Sequence, residues 1–169
     1  MPERLNPTSR ILAIDPGTRE MGIAVLAGQE LEYYAVKTIT QRRSSTSIIS
    51  QACQIVRKLL KLHRPQILAV EKPFLGYGAR SSLLSVVARE ILTLGQRHGC
   101  NILEINPKTA KKIVAGSGSA TKREVASVVC SRFPELRIYL RQAHQYQEKY
   151  WANLFDAVAI ALSAAELSK

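Results

Sequence analysis

Acidic residues are scarce in this chain: 13 Asp and Glu stand against 24 Lys and Arg over 169 residues, a formal charge of +11. That imbalance makes a polyanionic partner the natural inference, nucleic acid before a membrane surface. Cysteine is scarce too. Cys53, Cys100 and Cys130 are odd in number and far apart, which excludes a disulfide-built scaffold and suits small core residues in a reducing compartment. The three histidines, His63, His98 and His144, have no CxxC pair to join, so a structural zinc site is not expected. No stretch of about eighteen apolar residues occurs, which leaves no candidate membrane span. The opening "MPERLNPTSR" carries no apolar signal core, and a cytoplasmic location, nucleoid-associated if the partner is DNA, is expected. Repeats, low-complexity tracts and linkers are also missing, so residues 1–169 read as one domain.

What is present is the composition of a folded globular chain, 46% hydrophobic and 22% charged. Residues 10–15, 22–27 and 30–38 are β-branched, aromatic or alternating and are parted by "PGTRE" and "GQE"; they predict three successive antiparallel strands. From Ser45 the period changes. Ile48, Ile49, Ala52, Cys53, Val56, Leu59 and Leu60 recur at helical spacing up to Pro65. "QILAVE" (66–71) is a short buried strand, residues 81–98 form a helix with Leu83, Val87, Ile91 and Leu94 on one face, and "NILEINP" (101–107) is a fifth strand. Beyond Pro107 the pattern is short and polar, with a loop at 115–124, a helix near 121–132 and a last apolar helix through "NLFDAVAIALSAAEL". The class is α/β: a five-stranded mixed sheet, three antiparallel strands first, flanked by helices.

Three acids stand out against this pattern. Asp15 follows Ile11-Leu12-Ala13-Ile14, at the strand end where open α/β sheets meet ligands, although Asp-Pro-Gly is also ordinary turn chemistry. Glu71 repeats the arrangement after Ile67-Leu68-Ala69-Val70. Asp156 sits among Leu154, Phe155, Ala157, Val158, Ala159 and Ile160, where an unpaired carboxylate costs several kcal/mol or takes up a proton. Something positive should lie beside it. The economical solution is that Asp15, Glu71 and Asp156 converge on Mg²⁺ or Mn²⁺, two ions about 4 Å apart that activate water for phosphodiester hydrolysis, while the Lys and Arg hold the phosphate backbone.

The quoted segments "ILAIDPGTREMGIAVL", "ILAVEKPF", "VAGSGSATKREV" and "NLFDAVAIAL", in this order, resemble the RuvC-type Holliday-junction resolvases of the RNase H-like superfamily. The resemblance covers nearly the whole chain. It implies a homodimer, with part of the 81–98 helix shared between protomers, that cuts four-way DNA junctions by paired symmetric nicks in recombination and repair. It also implies that Asp15, Glu71 and Asp156 are metal-binding catalytic acids, that Lys111 and Lys122 assist at the scissile phosphate or bind DNA, and that Phe74 stacks on junction bases. A branch-migration motor is a further partner to consider. Where the family has an acid or a histidine one turn before the last Asp, this chain has Asn153. An amide oxygen ligates a hard metal without bringing charge, so weaker metal affinity and a preference for Mn²⁺ are expected, with activity retained.

Arg42, Arg43, Lys108, Lys112 and Arg123 complete a basic set suited to DNA phosphates, although such runs are often solvated faces. Rival readings keep the fold but change the job: another RNase H-like nuclease, or a protein that binds junctions without cutting. "IDPGTREMG" also looks like the phosphate-binding hairpin of sugar kinases and actin-like ATPases, but those need two such domains, and a charge of +11 suits them poorly.

Overall fold

The computed structural model describes residues 9–41, 43–73, 78–141 and 145–169, and of 79–81 and 145–148 the backbone. Strands β1 (Arg10–Asp15), β2 (Glu20–Ala27) and β3 (Glu30–Thr38) form an antiparallel meander. Helix α1 (Ser45–His63) leads to β4 (Ile67–Glu71), helix α2 (Ala79–Arg97) to β5 (Asn101–Ile105). Helices α3 (Pro107–Ala115), α4 (Lys122–Arg132), α5 (Arg137–Leu140) and α6 (Gln145–Leu167) complete the chain, with a 3₁₀ turn at Pro134–Leu136. The sheet order is β3-β2-β1-β4-β5, with β1 parallel to β4 and β4 to β5. This is the mixed five-stranded sheet that the strand and helix patterns predict.

The strand period decides which face each residue serves. Ile11 and Ala13 of β1, with Ile67 and Ala69 of β4, pack into one apolar cluster with α4 and α6. Leu12, Ile14, Leu68 and Val70 pack into the other, with α1 and α2. Extending the alternation one step puts Asp15 and Glu71 on the α6 side of the sheet. Since Ile14 pairs with Val70 across the parallel ladder, the two acids end adjacent strands at the same edge.

Two glycines fix the approach of the chain around that edge. In the turn after β1, a Cβ on Gly17 would stand 1.8 Å from the Glu20 carbonyl oxygen, so Pro16-Gly17 closes tightly only with glycine. On β2, a Cβ on Gly22 would stand 1.9 Å from the Asn153 carbonyl oxygen. Gly22 pairs with Asp15, so the bare glycine lets α6 lie against the sheet where the first acid stands.

The structure departs from the sequence pattern in three places. Strand β2 begins at Glu20, two residues before the alternation becomes apolar, because Glu20 still pairs with Thr38. Residues 107–115 are helical rather than irregular: Asn106 caps the helix through its side chain, accepting from the Lys108 N–H, and Pro107 occupies the first turn. Helix α6 starts at Gln145, well before its apolar stretch. There the Tyr150 hydroxyl donates to the Val36 carbonyl at 3.0 Å and Trp151 stacks on Tyr139 with ring centroids 4.2 Å apart, so aromatic packing over β3 extends the helix. No helix among the described residues is long and apolar enough to cross a membrane.

Candidate active site

Asp15 from the end of β1, Glu71 from the end of β4 and Asp156 from the middle of α6 interact electrostatically at one sheet edge, and each is partly buried. Burial first, then the charges of Glu71 and Asp156, holds the Asp15 carboxyl well above the usual carboxylate range. Burial and Asp156 raise Glu71 as well, while a hydrogen bond from Asp15 works the other way. Crowding thus opposes ionising both carboxyls together, most strongly at Asp15.

The positive group expected beside Asp156 is Lys122, whose Nζ lies 2.6 Å from Asp156 Oδ2. Burial works against the ammonium, but Asp156, then Asp15 and Glu71, outweigh it and pull Lys122 above its ordinary value. Lys111, half-buried on α3, reaches Glu71 electrostatically. A cleft of about 170 Å³ is lined by Glu71, Lys111, Lys122 and Asp156 together with apolar Ala110 and Val125. A larger groove of about 530 Å³ lies elsewhere, between the C-terminal part of α6 and the β2–β3 turn, and Glu166 is the one acid lining it. The smaller cleft is the one that two of the three acids and both lysines line.

The Lys122 ammonium on Asp156 offsets part of the acids' mutual repulsion, a task that a divalent cation can take over. Among the described residues no three His, Cys, Asp or Glu already form a metal cage. The donor chemistry nevertheless suits a hard cation, since every acid offers carboxylate oxygen. Asn153, three residues before Asp156, is half-buried, and its side-chain N–H donates to the Tyr150 carbonyl at 3.3 Å.

The remaining expected residues are less concentrated. Arg43, Lys108, Lys112 and Arg123 are exposed and line none of the cleft. Arg42 and Phe74 lie outside the described residues. Two residues that the site gathers without having been singled out are Thr121 and Glu124, which bracket Lys122 in the first turn of α4. Their signal, Thr-x-x-Glu at the start of a helix, is present in "ATKREV".

Comparison with known proteins places this geometry in context. The family profile described as "Crossover junction endodeoxyribonuclease RuvC" matches residues 11–164. A protein of that name from a Chelativorans species is 30% identical over 167 residues, covering 89% of this chain and 97% of that protein. Another, from Dehalococcoides mccartyi, is 32% identical over 160 residues, covering 90% of each. Among solved structures, Thermus thermophilus RuvC in complex with Holliday junction substrate superposes with a TM-score of 0.76 at 24% identity, over 95% of both chains. The yeast mitochondrial Holliday junction resolvase Ydc2 follows with a TM-score of 0.68 at 15% identity, over 97% of this chain and 80% of that one. At these identities the structural matches speak for the fold.

Proposed function

The chain belongs to the RuvC family of crossover junction endodeoxyribonucleases, and on that premise we propose that it resolves four-way DNA junctions, with Asp15, Glu71 and Asp156 as the acids that hold its metal. The family is one of metal-dependent nucleases. The observation that carries the reading is the meeting of Glu71 and Asp156 with Lys111 and Lys122 at one cleft, with Asp15 interacting with both acids and with Lys122, in a chain of charge +11. Two Mg²⁺, or Mn²⁺ in their place, would be held by these acids with the Asn153 amide oxygen as a neutral fourth donor; bound there, the ions supply the charge that activates water and stabilises the leaving oxygen.

The residues of the chain do the rest. The sheet edge fixes Asp15 and Glu71 side by side, so the ligands are arranged before substrate arrives. Lys122 neutralises Asp156 when no other cation does, and Lys111 and Lys122 then face the negative charge that grows on the phosphate in the transition state. Arg42, Arg43, Lys108, Lys112 and Arg123 bind backbone phosphates, and Phe74 stacks on an unpaired base at the crossover.

Symmetric cutting needs two sites, and we assign the second to a homodimer formed through α2, where Val86 is 44% exposed beside the buried Val87 and Ile91. The whole of residues 1–169 acts as one RNase H-like nuclease unit on chromosomal DNA in the cytoplasm, and a branch-migration motor is a fitting partner. The deciding experiment offers a four-way junction, a duplex, a single strand and an RNA–DNA hybrid in Mg²⁺ or Mn²⁺. Paired symmetric nicks in the junction are expected, with Asp15→Asn binding it uncut. Preferential cleavage of the hybrid, or junction binding without cutting in either metal, would sink the proposal.

A further inference from the structure

Lys122 is the first residue of α4, and the turn that precedes it determines where its backbone stands. The Glu124 N–H donates to Thr121 Oγ1 at 3.2 Å. In return the Thr121 N–H donates to Glu124 Oε2 at 2.6 Å and the Thr121 hydroxyl to the same oxygen at 2.8 Å. These reciprocal bonds close a ring around Lys122, satisfying N–H groups that the start of a helix leaves without intrahelical partners. Ala120 and Val125, on either side of the ring, are both buried in the cluster under α6, a hydrophobic staple that ties the entry of α4 to the core. Val125 also lines the cleft.

A lysine head group hangs on a long flexible stem, so it is delivered to a fixed point only if its backbone is fixed. First turns of helices fray readily. Here the first turn is locked twice, by the ring and by the staple, and the residue it carries meets Asp156 across 34 positions of sequence. Thr121 and Glu124 are themselves exposed and line none of the cleft.

We propose that Thr121 and Glu124 are positioning residues for the reaction: their reciprocal capping bonds hold the Lys122 backbone at the distance from which its ammonium meets Asp156 and, during cutting, the neighbouring phosphate. The inference rests on the reading of Lys122 given under Proposed function and deepens it.

The test is single-turnover cutting of a four-way junction at saturating protein, with junction affinity measured in parallel by titration in Ca²⁺. Glu124→Ala and Thr121→Val are expected to slow cutting about tenfold, the size of effect that a misplaced catalytic group produces, while affinity changes by less than about twofold. Glu124→Gln and Thr121→Ser keep the capping bonds and restore the rate. In a Lys122→Ala background, Glu124→Ala costs nothing further. An equal loss in that background would reduce the pair to an ordinary helix cap and overturn the inference. So would a Lys122→Ala loss that Glu124→Ala fails to share in the wild-type background. Lys122→Ala cutting at the wild-type rate overturns the role of the lysine itself, and the positioning with it.

Discussion

Lys122 and Asp156 form an ion pair of 2.6 Å although the lysine side chain is 66% exposed and the carboxylate 24%. The ammonium thus stands at an acid proposed to hold a divalent ion, and the two cations compete. Removing the ammonium should tighten metal binding to the DNA-free protein. For a pair this exposed, solvent screening limits the gain, and Lys122→Ala is expected to lower the Kd for Mn²⁺ by about three- to tenfold in calorimetry while slowing junction cutting. Weaker binding would mean that Lys122 supports the ion instead of standing in for it.

The acids should cost the metal-free protein stability. Asp15 has its folded-state pKa raised above the ordinary value, by burial and by Glu71 and Asp156. Above the ordinary carboxylate range the unfolded chain loses that proton more easily than the folded one, so the folded state is penalised as pH rises from that range towards the raised value, and stays penalised beyond it. Asp15→Asn removes the ionisation and should raise the Tm of the metal-free protein at neutral pH by about 2–4 °C, with no such gain at pH 3. In saturating Mn²⁺ the wild type should close the gap. An Asp15→Asn protein less stable than the wild type at neutral pH would mean that the carboxyl is structurally useful.

Gly22 should be as sensitive as a catalytic residue without bearing any chemistry. A methyl group there would stand 1.9 Å from the Asn153 carbonyl oxygen, 2.6 Å from its carbon and 3.2 Å from the Ala157 Cβ. Backbone must move, and the segment that moves carries Asn153 and Asp156 on one face. Gly22→Ala is expected to destabilise by about 1–3 kcal/mol and to slow cutting by about a hundredfold, measured by urea unfolding and single-turnover cutting at low temperature. Near-normal cutting by a destabilised Gly22→Ala protein would separate the fit of α6 from the alignment of the site.

Asn153 offers the metal an amide oxygen where a carboxylate would add charge. Asn153→Asp should strengthen Mg²⁺ binding by about tenfold and relax any preference for Mn²⁺, at the expense of a fourth like charge and a lower metal-free Tm. The readout is cutting rate against metal concentration. An unchanged metal dependence would exclude Asn153 as a ligand.

The strand acids were legible because period-two alternation is strict: once Ile11 and Ala13 face one layer, Asp15 follows them, and Ile67 and Ala69 do the same for Glu71. Asp156 was legible from the opposite cue, a charge inside an apolar helix that demanded company. The identity of that company was not, because Lys122 lies 34 residues away and only tertiary packing brings α4 under α6. Helix α3 hid behind polar residues, although Asn106-Pro107 is a helix start in its own right. The early start of α6 depends on contacts of Tyr150 and Trp151 with β3 and α5, which no local pattern encodes.

Strands β1 and β4 occupy the interior of the sheet, each paired on both sides, and they end in Asp15 and Glu71. Interior strands are the last to exchange their amide protons, opening only when the whole molecule does. The first turn of α4 is locked by its capping ring and by buried Ala120 and Val125, so what can move on this side is the Lys122 side chain, 66% exposed. The centre is thus divided into strand acids that cannot wander and an ammonium that can adjust to each incoming phosphate. On heating, the strand acids should keep their geometry until global unfolding, with the amides of Ile14 and Val70 protected to the same temperature. Any earlier decline in cutting should begin at the lysine.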